Sequence, residues 1–144
     1  MPEQNQWIES KQDVQNYIDR LQYALSCGAE IIFQWHRRVD QERDERYTNQ
    51  FTVSDLFPDE NPVDVLRREL QSLKLEEYIH TVKDLRCPKK AEMRVFGRRY
   101  HDADDVYIKI RVELLSKAGR HTAFVMSFHY AERPFSTDVF PYKA

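Results

Sequence analysis

The chain has 144 residues, 41% hydrophobic and 12% aromatic, enough to build a folded core and to exclude a disordered chain despite 32% charged residues. No apolar run approaches the length of a bilayer span, and the opening Met-Pro-Glu-Gln-Asn lacks the pattern of a secretory leader, so a cytoplasmic setting is expected. The formal charge of −2 is unevenly distributed: residues 1–85 hold 10 Lys and Arg against 17 Asp and Glu, whereas residues 86–135 hold 11 against 6. A basic half can attract phosphate or can be ordinary solvated surface, and charge counts alone favour the second.

Ser10-Lys-Gln-Asp13 has the form of a helix-initiating capping box, and Val14, Tyr17, Ile18, Leu21 and Leu25 recur at helical spacing up to Gly28. A helix over residues 11–26 follows. Glu30–His36 is short, β-branched and aromatic, and reads as a strand. Residues 37–50 are highly charged and aperiodic, a charged loop; residues 51–57 read as a short strand or a turn. Asn61-Pro62 is an N-cap followed by a first-turn proline, and Val63, Leu66, Leu70 and Leu73 give an apolar face to a helix over residues 62–73. Leu75–Ile79 reads as one more helical turn, and residues 86–90 as a basic connector opened by Pro88.

Three strands complete the pattern. Residues 92–99 alternate Met93, Val95 and Gly97 against Arg94, Phe96 and Arg98. The run Asp105-Val-Tyr-Ile-Lys-Ile-Arg-Val-Glu-Leu-Leu115 alternates almost without fault, with Val106, Ile108, Ile110, Val112 and Leu114 opposite Tyr107, Lys109, Arg111 and Glu113. A glycine-containing hairpin loop at residues 117–120 leads into residues 122–130, with Phe124, Met126, Phe128 and Tyr130 on one side and Ala123, Val125, Ser127 and His129 on the other. Residues 136–144 read as an irregular tail. The whole reads as one domain of the α+β class, with N-terminal helices packed on one face of a mostly antiparallel sheet. If Phe124, Met126 and Phe128 meet the helices, strand parity aligns Arg94, Phe96, Arg98, Tyr107, Lys109, Arg111, Ser127 and His129 on the opposite, open face.

Cations on a rigid sheet can hold phosphates, exposed aromatics can stack bases, and a histidine can move protons near neutral pH. RNA carries its own nucleophile, the 2′-hydroxyl, so cleavage needs a base, an acid and a cation for the phosphate oxygens, but no metal. Arg94, Lys109, Tyr107 and His129 are candidate parts. No metal or other cofactor is expected, since Cys27 and Cys87 lack CxxC spacing and the five histidines form no HxxxH or HExxH pattern.

Leu70-Gln-Ser-Leu-Lys-Leu-Glu-Glu-Tyr78, Val95-Phe-Gly97, Val106-Tyr-Ile-Lys-Ile110, Ser127-Phe-His129 and Ala131-Glu-Arg-Pro134 together resemble, in order and spacing, the MqsR-family toxins of bacterial type II toxin–antitoxin systems. The resemblance covers roughly residues 12–135. It implies a RelE-like fold, a metal-independent endoribonuclease acting on mRNA, and a helix-turn-helix antitoxin as partner. By position it places the catalytic set at His80, Arg94, Tyr107 and His129. Family members carry lysine at the first and last of these positions and glutamine at the second. Two histidines would share the base and acid roles, Arg94 and Lys109 would hold the scissile phosphate, and Arg98, Arg111 and Arg133 would assist in binding RNA. Each has a structural alternative: His80 capping its helical turn, His129 bonded within the sheet, Tyr107 packed under the 37–50 loop. The other reading of the chain is a non-catalytic module of the same fold that binds RNA or a protein. A third is an interaction protein using its acidic N-terminal half.

Overall fold

The computed structural model describes residues 5–35, 45–83, 92–101, 104–114 and 121–143. Among them are three helices, α1 (Lys11–Ser26), α2 (Asn49–Leu56) and α3 (Pro62–Gln71), and six strands. The strands are β1 (Gln6–Trp7), β2 (Glu30–Phe33), β3 (Tyr78–Val82), β4 (Met93–Tyr100), β5 (Asp104–Leu114) and β6 (His121–Tyr130). They form one sheet in the order β1-β3-β4-β5-β6-β2, antiparallel except where β2 runs parallel to β6. The class is α+β, as the order of elements implies.

Helix α1 begins and ends where its sequence says it should. Ser10 Oγ accepts from Asp13 N at 3.1 Å, and Gly28, at φ +83°, lets Gly28 N donate to Leu25 O and Ala29 N to Ala24 O. Asn61 caps α3 by accepting from Val63 N and Asp64 N. Arg67 of α3 donates to Leu25 O at 3.1 Å and Ala29 O at 2.8 Å, which holds α3 against the end of α1. The apolar face of α3 is Val65, Leu66 and Leu70; Val63, assigned to it by spacing, is 39% exposed. These helices bury Val14, Tyr17, Ile18, Leu21, Leu66 and Leu70 against one face of the sheet, supplied by Tyr78, Phe96, Val106, Ile108, Ile110, Val125 and Phe128.

Several expectations are corrected. The charged loop ends sooner than the sequence suggests: a helical turn at Glu45–Tyr47 precedes α2, and residues 51–56 are helix, not strand or turn. Thr48 caps α2 by accepting from Phe51 N at 3.2 Å. The helix forms because of what it covers rather than by apolar periodicity. Strand β2 reaches only Val125 of β6, so the β6 edge from Met126 onward would be bare. Asn49 Nδ2 donates to Gln34 O at 2.8 Å and Met126 O at 3.1 Å, and Phe128 N donates to Asn49 Oδ1 at 3.0 Å. Tyr130 N donates to Thr52 Oγ1 at 2.8 Å. Two side chains of a helix thus do the work of a neighbouring strand and close an otherwise open edge.

The expected helical turn at Leu75–Ile79 stops at Glu77, and Tyr78–Val82 is strand, so His80 is a sheet residue rather than a cap. The tail, expected to be irregular, has a helical turn at Thr137–Val139 and a defined seat. Phe135 N donates to Asp105 Oδ2 at 2.8 Å, the Phe135 ring lies on Gly97, and Tyr142 stacks on Tyr78 at 6.1 Å and donates to Glu9 O. A Cβ on Gly97 would lie 2.6 Å from Phe135 Cε2, so the seat needs glycine for space. The basic connector 86–90 and the hairpin loop 117–120 lie outside the described residues, as do positions 37–44 of the charged segment and His36 before it.

Candidate functional site on the open sheet face

Strand register decides which side chains share the face away from the helices. Directly opposed residues of antiparallel neighbours project to the same side. His80 lies opposite Val95, Val95 opposite Lys109, and Lys109 opposite Ser127. One row across β3, β4, β5 and β6 therefore reads His80, Val95, Lys109, Ser127. The next reads Gly97, Tyr107, His129.

The parity expected for β4 was inverted. Phe96 pairs with Ile108 and is fully buried in the helix-side core, and Arg94 and Arg98 project to that same side. Arg94 donates to both Glu9 carboxylate oxygens, at 2.6 Å and 3.4 Å, and its guanidinium lies 4.3 Å from the Tyr17 ring centroid. Arg98 donates to Glu77 at 2.8 Å and 2.9 Å and to Ser72 O at 2.7 Å. Neither belongs with Lys109 and His129. Alternation on β4 was legible; its orientation was not, because Glu9 is 85 residues away from Arg94 and nothing local marks them as partners.

A second correction comes from β6. The pairing shifts between Lys109 and Ile110, so Ser127 faces Lys109 but Val125 faces Ile110, and Met126 is the extra residue. Phe128 and Tyr130 enter the core as expected, but so do Val125 and Ala123, while Phe124 is turned out beside Arg111. Arg111 is on the open face but engaged: its guanidinium lies 4.3 Å from the Phe124 centroid, its Nε is 3.1 Å from Glu113 Oε2, and its side chain is 9% exposed. It does not present a phosphate contact.

What remains together is a compact group. Tyr107, Lys109, Ser127, His129 and Arg133 line an open groove of about 600 Å³, joined by Glu132. The Tyr107 and His129 rings stack, with centroids 5.4 Å apart and an interplanar angle of 21°. His129 Nδ1 donates to Tyr130 O at 3.0 Å. That bond fixes the proton on Nδ1, so the neutral ring keeps its lone pair on Nε2, the tautomer a general base requires.

His80 shares the face but not the group. It stands three strands from His129 and one side-chain step along, about 16 Å between Cα atoms from ordinary strand spacing and rise. Two imidazoles at that separation do not close on one phosphorus, so the shared base-and-acid pair is corrected. Burial, and secondarily the Lys109 ammonium, lower the His80 pKa below the ordinary imidazole range, which keeps the ring neutral and makes it a poor proton donor near neutrality. The feature without a sequence signal was Phe135, held by Asp105 at the groove's edge. Asp105 also accepts from Arg99 at 2.7 Å and 3.2 Å, which holds its carboxyl below the usual carboxylate range.

The fold and site thus define an α+β chain whose helix-backed sheet carries a polar groove built on a stacked tyrosine–histidine pair. No protein-family model, curated protein or solved structure matches the chain. No helix among the described residues is long and apolar enough to cross a membrane.

Proposed function

We propose that this chain is an MqsR-like, RelE-like endoribonuclease that cuts single-stranded RNA in the Tyr107–His129 groove without a metal. The observation that carries the reading is the His129 ring itself, oriented by its Nδ1 bond to Tyr130 O, stacked on Tyr107 and one row (two residues) from Lys109. His129 Nε2 takes the proton of the 2′-hydroxyl. The 2′-oxygen attacks phosphorus and the bond to the 5′-oxygen breaks. Lys109, with Arg133, stabilises the charge on the non-bridging oxygens, and the Tyr107 hydroxyl gives its proton to the departing 5′-oxygen. The products are a 2′,3′-cyclic phosphate and a 5′-hydroxyl. His80, neutral and two strands from Lys109, binds the RNA rather than transferring a proton. A helix-turn-helix antitoxin that covers the groove is the partner this reading implies.

A second reading, a non-catalytic module binding RNA or a protein, is favoured by Glu132, which brings negative charge into the groove. The test is incubation of purified protein with single-stranded RNA in EDTA, with end-group analysis of the products. Cleavage is expected to fall about 10²–10⁴-fold in His129→Ala, the range of a lost general base, and to drop also in Tyr107→Phe. RNA that is bound but stays intact from pH 5 to 8 would transfer the assignment to the binding module.

A further inference from the structure

Beside the groove is a second concavity that the proposed chemistry does not use. It has a volume of about 310 Å³ and lies between the Gly97 end of β4 and the tail. Phe135 and Phe140 meet edge to face, with centroids 5.7 Å apart and planes at 90°, and together form one aromatic corner of it. Asp105 stands at its base, and Glu76 and Lys143 at its margin. Phe135 also lines the catalytic groove, so one ring separates the two spaces. That residue is held at three points: its backbone N–H by Asp105, and its ring against Gly97 and in an edge-to-face contact with Phe140.

We infer that this slot is a base-binding subsite, which receives the nucleobase of a nucleotide flanking the scissile phosphate; the inference rests on the reading of the groove as an RNA site. Three observations choose a nucleobase over other occupants. The slot adjoins the groove, with the Phe135 ring as their common wall. Gly97 and His129 lie in one row, two strands apart, about 10 Å, which is within reach of the next one or two nucleotides of an extended strand. One corner is aromatic while the margin offers both a carboxylate and an ammonium, and a base presents a π-face together with donors and acceptors on its edge. The tail residues after Pro134 thereby act as one wall of the substrate channel rather than as a trailing segment.

The experiment uses single-stranded 2′-O-methyl RNA, which lacks the nucleophile, in a series where one abasic nucleotide is moved through each position. Binding is read by fluorescence anisotropy with the full chain. Loss of the base at one position is expected to weaken binding about tenfold, the scale of one aromatic stacking contact, and that penalty is expected to vanish in Phe140→Ala. Equal penalties at all positions, or a penalty unchanged in Phe140→Ala, would overturn the subsite. Should Phe140→Ala fail to fold, nucleoside 5′-monophosphates titrated into wild type decide: shifts of the Gly97 amide and Phe140 ring signals support the slot, and shifts confined to Lys109 and His129 reject it. The two readings separate cleanly. RNA cut with no position-specific penalty removes only the subsite, a position-specific penalty without cleavage removes only the catalysis, and RNA neither bound nor cut removes both.

Discussion

Replacing Asn49 by alanine tests the idea that a helix side chain substitutes for a strand along β6. The Asn49 amide serves three backbone groups, and each loses its partner at once. Phe128 is fully buried, so its N–H has no water to turn to and costs about 1–3 kcal/mol. The carbonyls of Gln34 and Met126 keep a second lone pair and cost less, on the order of 0.5–1 kcal/mol each. Alanine's better helix propensity returns about 0.5 kcal/mol. The net destabilisation is about 1.5–4.5 kcal/mol, a large part of a small domain's stability. Equilibrium urea unfolding with an unchanged m-value measures it, and hydrogen exchange at the Phe128 amide locates it. Thr48→Ala, which removes the α2 cap and the Thr48 Oγ1 bond to Glu45 O but leaves the β6 edge bonds, sets the comparison at about 1–2 kcal/mol. An Asn49→Ala change within 0.5 kcal/mol of wild type, with Phe128 still protected, would refute the edge-closing role. The site is involved too: the carbonyl that Asn49 holds belongs to Met126, the extra residue whose bulge turns Ser127 and His129 toward Lys109.

Arg94→Met leaves Glu9 without its partner on the helix side; it should destabilise by on the order of 2–4 kcal/mol in a thermal or urea melt and leave kcat for RNA unchanged below the melting range, whereas loss of kcat in a folded variant would return Arg94 to the site. Lys109→Met should raise the His80 pKa in an NMR titration, because burial, the larger cause, remains while the ammonium is removed; an unmoved His80 would contradict their shared row. For stability the sign is fixed: the His80 pKa is lowered on folding, so the unfolded chain binds more protons once pH falls below about 6.5, and the penalty grows down to the folded pKa. His80→Gln should therefore flatten the acid limb of the stability curve and leave it unchanged above pH 8. Gly97→Ala forces Phe135 off its seat and should cost about 1–3 kcal/mol, with the loss reduced by Phe135→Leu in the same chain.

Alternation was readable on β5, since an apolar and a polar face write themselves into residues 104–114 at a period of two; on β4 Val95 and Phe96 are both fully buried, so neither face of that strand is simply the open one. The caps at Ser10 and Asn61 were readable for the same reason: the signal is local. What alternation does not encode is which way a strand faces, and that depended on distant partners. Glu9 draws Arg94 to the helix side, and Glu77 with Ser72 draws Arg98. The β6 bulge was hidden because Phe124-Val125-Met126 is apolar at every position, so a slip in register leaves no polar residue out of place. Helix α2 was hidden because its sequence has no amphipathic stripe; its reason for being is the set of edge bonds made by Asn49 and Thr52. Of the site, Tyr107, Lys109 and His129 were recoverable from parity on β5 and the last strand, while Arg94 and Arg98 were not.

The loss of Arg94 and Arg98 from the open face changes what kind of RNA binding the groove can support. Among the described residues, Lys109 and Arg133 are the cations lining the groove, and Glu132 stands with them. Two phosphate contacts on a single strand give a log–log salt dependence of about −1.4, far shallower than that of proteins held chiefly by counterion release. On the proposed RNA-binding reading, affinity would then come from elsewhere, and the aromatic rings of Tyr107, Phe135 and Phe140 would supply it by stacking. This fits a chain with a net charge of −2, for which long-range attraction to RNA is weak and local geometry has to select the strand. A measured slope near −1.4, falling by about 0.7 in Lys109→Met, would support this division between charge and stacking. A slope steeper than about −4 would mean that the RNA follows a different, more basic surface, and that the groove is not where the strand is held.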